Sequence, residues 1–240
     1  MSALYTSLFA DGASRLIAAG CFVVTVALYF VSKALYARYR SPWLTPLVAV
    51  PAVLAAIVLI AHIPYPVYFR DTSCLMWLLG PATVAFAVPI YEYRELLARH
   101  WISLAVGVTV GIVVAVGGSL LLAKLLHLSP DLQRSLMTRS ISTPFALAVS
   151  DKIHAPRELT ALFVIATGIV GMLFGELVLA LVPLRTRLAR GALFGAAAHG
   201  VGTAKARELG GEEGVVASLT MMIAGVVMVL IAPLLAFLPV

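Results

Sequence analysis

The stretch RSISTPFALAVS, Arg139 to Ser150, decides the fold because it places a proline-led helix start inside a very apolar chain. Proline lacks a backbone N–H and fixes φ, so a helix ends before it or begins at it. Ser142 and Thr143 stand directly before Pro144, and such side chains cap helix starts. The segment predicts a half-helix whose N-terminal N–H groups and positive dipole end face an anion within a membrane protein. The alternative is an ordinary membrane helix with a proline in its first turn.

Composition places the chain among membrane proteins. Of its 240 residues, 62% are hydrophobic and 12% are charged, and the mean hydropathy of +1.03 is far above the soluble range. A transmembrane helix needs ~20 apolar residues, and the chain holds several such runs with nothing left over for a soluble domain. We therefore predict an all-α polytopic membrane protein with a single transmembrane domain over residues 1–240. The formal charge of +6 fits Lys and Arg in cytoplasmic loops and near lipid headgroups better than a nucleic-acid surface.

Hydrophobic segments alternate with polar connections, and by length they number about seven or eight. The segment LLGPATVAFAVP, Leu78 to Pro89, has Gly80-Pro81 at its start and predicts a second interrupted helix. The polar connections are predicted as loops at Glu92–His100, Lys124–Arg134, Asp151–Glu158 and Lys205–Glu213.

A weak internal repeat accompanies the two interrupted segments. The pattern AFAV followed by RELLA lies within Ala85–Ala98, and ALAV followed by RELTA lies within Ala146–Ala161. Each pattern precedes a glycine-spaced helix, which gives repeats over 78–127 and 139–184 and favours an inverted-repeat transporter fold. Chance similarity between two Ala/Val-rich segments is the alternative.

The segment GALFGAAAHGVGTAKAR, Gly191 to Arg207, is the second functional candidate. Gly191 and Gly195 form a G-x-x-x-G surface that admits another helix closely. His199 lies in an otherwise charge-free run, where ionisable groups are costly and face a cavity or a partner. It can carry a coupled proton or donate to a carboxylate, or it can be a histidine hydrogen-bonded between helices. At helical spacing, one face is predicted to hold Gly195, His199, Thr203 and Arg207.

Glu176 is the other charge inside an apolar run. It is a candidate proton-coupling residue, or it lies near the membrane edge or pairs with a neighbouring helix. The glycine stripes Gly107/Gly111 and Gly168/Gly175 are interpreted as packing surfaces. The remaining histidines lie at segment ends, where an interfacial role is favoured: His62, His100, His127 and His154.

Motifs for enzymatic chemistry are missing from the sequence. It has no H-E-x-x-H, G-x-S-x-G or Walker A motif, so we do not expect an enzyme. No acidic pair or Cys/His cluster indicates a metal or another cofactor, and Cys21 and Cys74 are too scattered for a disulfide framework.

Three segments resemble the signature blocks of the LrgB/CidB family, in matching order and spacing from about Tyr68 onward. They are LLGPATVAFAVPIY (Leu78–Tyr91), SISTPFALAVSDKI (Ser140–Ile153) and ARGALFGAAAHGVGTAKARELG (Ala189–Gly210). The resemblance implies a multi-pass bacterial inner-membrane protein, often paired with a small LrgA/CidA-type membrane protein. Family members were described as holin-like or antiholin-like modulators of murein hydrolase activity and lysis. Plastid relatives carry glycolate and glycerate, and some bacterial pairs are linked to pyruvate uptake.

The family motifs point to particular residues of this chain. They are Pro81, Ser142, Thr143, Pro144, His199, Gly200, Gly202 and Thr203, to which we add Thr83 and Arg139 as substrate-binding candidates. The chain departs from the family pattern at Asp71-Thr72-Ser73, where a glycine pair is typical, and at Glu176, which is usually an uncharged position.

These residue types suit a small carboxylate. Hydroxyls at Ser142 and Thr143, cations at Arg139 and His199, and half-helix N-termini all favour an anion. The leading hypothesis is a secondary transporter of glycolate, glycerate, pyruvate or a similar monocarboxylate, coupled to protons through His199 or Glu176. The alternatives are a holin-like pore or lysis regulator, and a structural membrane partner that acts only with a second chain. A homodimer through the glycine-rich faces is also compatible with the sequence.

Overall fold

A computed structural model describes residues 2–39, 41, 44–85 and 87–238 of the chain. Within these residues all regular structure is helical. In chain order the helices are α1 (Ser2–Tyr39), α2 (Pro46–Ile60), α3 (Tyr65–Thr72), α4 (Cys74–Trp77), α5 (Leu79–Ala85), α6 (Ala87–Glu92), α7 (Arg94–Leu125), α8 (Pro130–Met137), α9 (Thr143–Ile153), α10 (Arg157–Leu181), α11 (Arg187–Leu209) and α12 (Gly211–Leu235).

Four helices of the described chain are long and apolar enough to cross a membrane. They contain the segments Ser14–Tyr39, Arg94–Leu125, Arg157–Leu181 and Gly211–Leu235. A shorter apolar helix covers Val48–Ile60. The all-helical membrane architecture is thereby confirmed, whereas the count of seven or eight segments and the inverted repeat stay predictions.

The residues group into two compact units, Met1–Pro81 and Ala82–Val240. In the first unit α1 packs against α2 and α3. Ala18 is fully buried there, and the hydroxyl groups of Thr25 and Tyr68 lie 3.4 Å apart. The prediction of a single transmembrane domain is not decided by this grouping.

The second unit is built around α10, α11 and α12. A buried apolar cluster joins α9 to the long helices, and it includes Met137, Phe145, Val149 and Met228. Phe145 of α9 packs directly on Gly225, where any Cβ would overlap the phenyl ring. The short helix α9 therefore lies against the middle of α12.

Several predicted loops are helical in the structure. Helix α7 begins at Arg94, inside the predicted connection Glu92–His100, and the backbone leaves helical geometry at His100 (φ −118°, ψ 18°). Helix α8 starts at Pro130, α9 extends to Ile153, and α11 extends to Leu209. These segments were predicted as loops because they carry charged residues. Charged residues favour contact with water, and they are equally compatible with a helix.

The sequence predicted four histidines at segment ends. Three of them follow helices, whereas His100 lies at a kink inside α7. His62, His127 and His154 follow α2, α7 and α9, and each has a positive φ of 50° to 56°. Histidine is among the residues enriched in this left-handed conformation, which terminates helices.

Candidate functional site

The N-terminus of α9 lies where the sequence predicted it. Ser142 has extended geometry (φ −68°, ψ 150°), α9 begins at Thr143, and Pro144 occupies the first turn. The first helical hydrogen bond runs from the Ala146 amide to the Ser142 carbonyl at 2.9 Å. The Ser142 hydroxyl, however, makes no capping bond and has no partner among the described residues. Ser142 is the cap residue by backbone geometry only, and its buried hydroxyl is left for another group.

Helix α11 is broken at His199. The backbone there adopts φ 40° and ψ −118°, a conformation that is strained for any residue except glycine. The chain turns back so sharply that a Cβ on Gly202 would overlap the Phe194 carbonyl, although residues eight apart in a straight helix are separated by roughly 12 Å. The predicted single face of Gly195, His199, Thr203 and Arg207 is therefore wrong, because it assumed a continuous helix.

Close glycine contacts hold the broken helix between α10 and α12. A Cβ at Gly171 of α10 would overlap the carbonyl oxygen of Ala197, and one at Gly175 would lie 2.7 Å from the Phe194 ring. A Cβ at Gly195 would overlap the Ala217 carbonyl on α12. These contacts confirm the predicted packing roles of the α10 stripe and of the Gly191/Gly195 surface.

The glycine stripe of α7, Gly107/Gly111, has open space around it. No described atom outside the helix backbone lies within 4 Å of a Cβ placed at Gly107 or Gly111. Neither glycine packs against another described residue of the chain, so their interpretation as a packing surface stays a prediction. Gly111 instead borders open space, which is the cleft described next.

A cleft of about 540 Å³ opens between α7, α10 and the first half of α11. Apolar side chains and glycines form most of its wall, and its polar members are Arg139, Ser140 and Thr167. No described carboxylate lies within salt-bridge distance of Arg139. The cleft thus presents a positive charge that the described protein does not neutralise.

Arg139 is held by α7 and interacts with His199. Its Nε donates to the Ser119 hydroxyl at 2.8 Å, and the Ser119 hydroxyl in turn donates a hydrogen bond to the Ala115 carbonyl. The His199 imidazole makes a hydrogen bond with the Arg139 backbone, and the charge of the Arg139 guanidinium also acts on it. The structure therefore brings together two predicted site residues that are sixty positions apart in the sequence.

His199 is 2% exposed, and its Nε2 has no hydrogen-bond partner in the described part of the chain. Its Nδ1 would lie 3.7 Å from a Cβ at Gly168, close to the midpoint of α10. The Thr203 hydroxyl donates to the His199 carbonyl at 2.8 Å, which satisfies a backbone group freed by the break. Nε2 of His199 and the hydroxyl of Ser142 are thus buried polar atoms without a partner in the described chain, and neither residue lines the cleft.

Glu176 forms an ion pair. Its Oε1 lies 2.6 Å from Nζ of Lys205, which also contacts Glu208 at 3.2 Å. The hydrogen bond to Glu176 raises the pKa of Lys205, burial opposes that shift, and Glu208 adds to it. Pairing with a neighbouring helix was one of the alternatives for Glu176, and a proton-coupling role stays a prediction.

The other predicted residues take different positions. Gly200 is exposed with open space around it, and Gly202 packs at the fold-back of α11. Pro81 lies in α5 and belongs to the first unit. The side chain of Thr83 lies outside the described residues, so its assignment stays a prediction.

The model of the LrgB-like family matches residues 25–238. The chain belongs to the LrgB-like family. The uncharacterised Bacillus subtilis protein YwbG is 38% identical over 212 residues, which cover 88% of this chain and 94% of YwbG. YxaC of the same organism is 30% identical over 216 residues, covering 90% and 94% respectively. No solved structure matches the chain.

In this LrgB-like membrane protein, the structure places further polar residues at the cleft that the sequence did not single out. Ser119 positions Arg139, and Ser140 and Thr167 line the cleft. Thr220 of α12 is buried, and it lines a small cavity together with Ser140. A hydroxyl in the middle of a long apolar helix was the available signal, but such hydroxyls often bond to the preceding helical turn and carry no ligand.

Proposed function

We propose that this LrgB-like protein is a secondary transporter of small monocarboxylates such as glycolate, glycerate or pyruvate, coupled to protons. The observation that carries the proposal is Arg139, a guanidinium without a described carboxylate partner on the wall of a 540 Å³ cleft. A substrate carboxylate would neutralise it through charge-assisted hydrogen bonds. At about 30 Å³ for each water-sized group, these acids occupy roughly 150–210 Å³, so the cleft has room for one with water.

The broken helices support the same proposal. Anions are stabilised at helix N-termini, and transporters place interrupted helices at a binding site near the middle of the membrane. The Ser142 hydroxyl offers a donor beside the start of α9. The His199 imidazole lies close enough to Arg139 to respond to an anion bound there, which makes it our proposed proton carrier. Movement of the repeats 78–127 and 139–184 against each other is the proposed route to alternating access.

Uptake into proteoliposomes that hold only this protein tests the proposal. Labelled glycolate and pyruvate are supplied with and without an inward proton gradient. We expect saturable uptake that rises with the gradient. Leakage of unrelated dyes and ions would indicate a holin-like pore instead. Absence of flux would overturn transport by this chain alone and redirect the work to a small LrgA/CidA-type partner.

Site variants identify the residues. Arg139→Gln removes the positive charge and keeps much of the side-chain volume, and we expect uptake to fall by about 100-fold, in line with about 3 kcal/mol for a charged hydrogen bond. Arg185→Gln is the matched control, because Arg185 is exposed and does not line the cleft. His199→Ala and Ser142→Ala should also lose uptake. Normal rates in folded, inserted variants would show that the site is assigned wrongly.

A further inference from the structure

A second, smaller cavity adjoins the cleft. It holds about 20 Å³, enough for one water-sized group. The two spaces share four wall residues, which are Gly111, Ala115, Ser140 and Ala196. The small cavity then extends to Thr220 on α12. Ser140, the residue next to Arg139, therefore lines both the cleft and the small cavity, which has the size of a single oxygen group.

Thr220 contributes a buried hydroxyl to the wall of this small cavity. Its side chain is 2% exposed, and its Oγ1 makes no hydrogen bond to any residue of the described chain. A buried hydroxyl without a partner is costly, so a ligand or water that bonds to it is favoured. A threonine hydroxyl both donates and accepts, and it can therefore bind either an alcohol or a carbonyl oxygen.

We propose that Thr220, together with Ser140, forms a specificity subsite for an oxygen on the second carbon of the transported acid. The inference rests on the proposed function, in which Arg139 binds the carboxylate in the adjoining cleft. An oxygen on the next carbon is then directed past Ser140 into the small cavity. The ligand class is 2-hydroxy and 2-oxo monocarboxylates, and the subsite discriminates against acids that lack this oxygen.

The test measures selectivity in proteoliposomes. Unlabelled glycolate and acetate compete against labelled glycolate, and the ratio of their half-inhibitory concentrations is the readout. Thr220→Val removes the hydroxyl with little change in shape, and we expect it to reduce the preference for glycolate by about three- to tenfold. Thr220→Ser keeps the hydroxyl and should restore the preference. Thr220→Ala gives a second hydroxyl-free variant with less packing strain.

Thr160→Val is the matched control. Thr160 is also fully buried, and its Oγ1 also lacks a hydrogen-bond partner among the described residues, but neither the cleft nor the small cavity is lined by it. It should keep the wild-type ratio. An unchanged ratio in both Thr220→Val and Thr220→Ala, or an equal change in Thr160→Val, overturns the subsite. A wild-type protein that does not prefer glycolate over acetate overturns it as well, while one that transports neither acid refutes the proposed function itself.

Discussion

Removing the Ser119 hydroxyl should impair transport although Ser119 does not line the cleft. Its Oγ accepts the hydrogen bond from Arg139 Nε at 2.8 Å, and it is therefore a positioning residue. Hydrogen bonds to charged groups contribute about 1.5–3 kcal/mol, which corresponds to about 10- to 150-fold. Arg139 keeps its charge in Ser119→Ala and can relax towards the substrate. We therefore expect the lower end, about a tenfold loss of kcat/KM, mainly as a higher KM for the carboxylate.

Ser218→Ala is the matched control for this prediction. Ser218 is buried to a similar degree, 6% exposed against 5% for Ser119, and its hydroxyl also bonds to the carbonyl one helical turn earlier. The Ser218 hydroxyl donates to the Gly214 carbonyl, and this bond involves no arginine. Both variants should be purified with similar melting temperatures, and Ser119→Thr should recover uptake. If Ser119→Ala transports glycolate within twofold of Ser218→Ala, the hydrogen bond does not position Arg139.

Three further predictions concern the framework of the site. Gly171→Ala should destabilise the protein by about 1–2 kcal/mol, because the added Cβ overlaps the backbone of α11. Gly107 has open space around it, so Gly107→Ala should stabilise the protein by about 0.5–1 kcal/mol. Thermal unfolding in detergent that ranks the two variants the other way would contradict this packing. His199→Gly should be more stable than His199→Ala by about 1 kcal/mol, since only glycine adopts φ 40° without strain, and equal melting temperatures would argue against the break. Lys205→Met should cost about 0.5 kcal/mol at pH 7, because the pair with Glu176 is partly exposed. The pKa of Lys205 is raised in the folded protein. The stability difference between wild type and Lys205→Met should therefore be fully present below the ordinary lysine pKa of about 10.4 and vanish as the pH rises through the folded pKa of Lys205. A stability difference that is constant up to high pH would indicate lost packing instead.

The sequence predicted the start of α9 well, and it failed at α11. Pro144 restricts its own backbone, so the helix boundary at Ser142 and Thr143 follows from local geometry. The break at His199 could not be read in the same way. The three alanines before it favour helix, and the glycines after it, Gly200 and Gly202, lower helix propensity without fixing where a helix breaks. The strained conformation persists because the glycine contacts with α10 and α12 fix both halves of the helix.

The candidate site was predicted in part. Arg139 and His199 were chosen because ionisable groups in apolar runs are costly unless they have a cavity or a partner. Their proximity, and the bond from Arg139 to Ser119 twenty residues away, depend on how α7 and α11 pack. Glycine spacing also did not separate the packed stripe of α10 from the open stripe of α7, since the two patterns are alike in sequence.

By itself the sequence determined that this is an all-helical membrane protein with a proline-led helix start beside a basic residue. Hydropathy and proline geometry are local properties, so no long-range information is needed for either. Only the tertiary structure decided which polar groups share a cleft, where α11 breaks, and that Thr220 and Ser140 line the same small cavity. Those outcomes depend on contacts between helices that are distant in the chain, and close packing of glycine against backbone selects them.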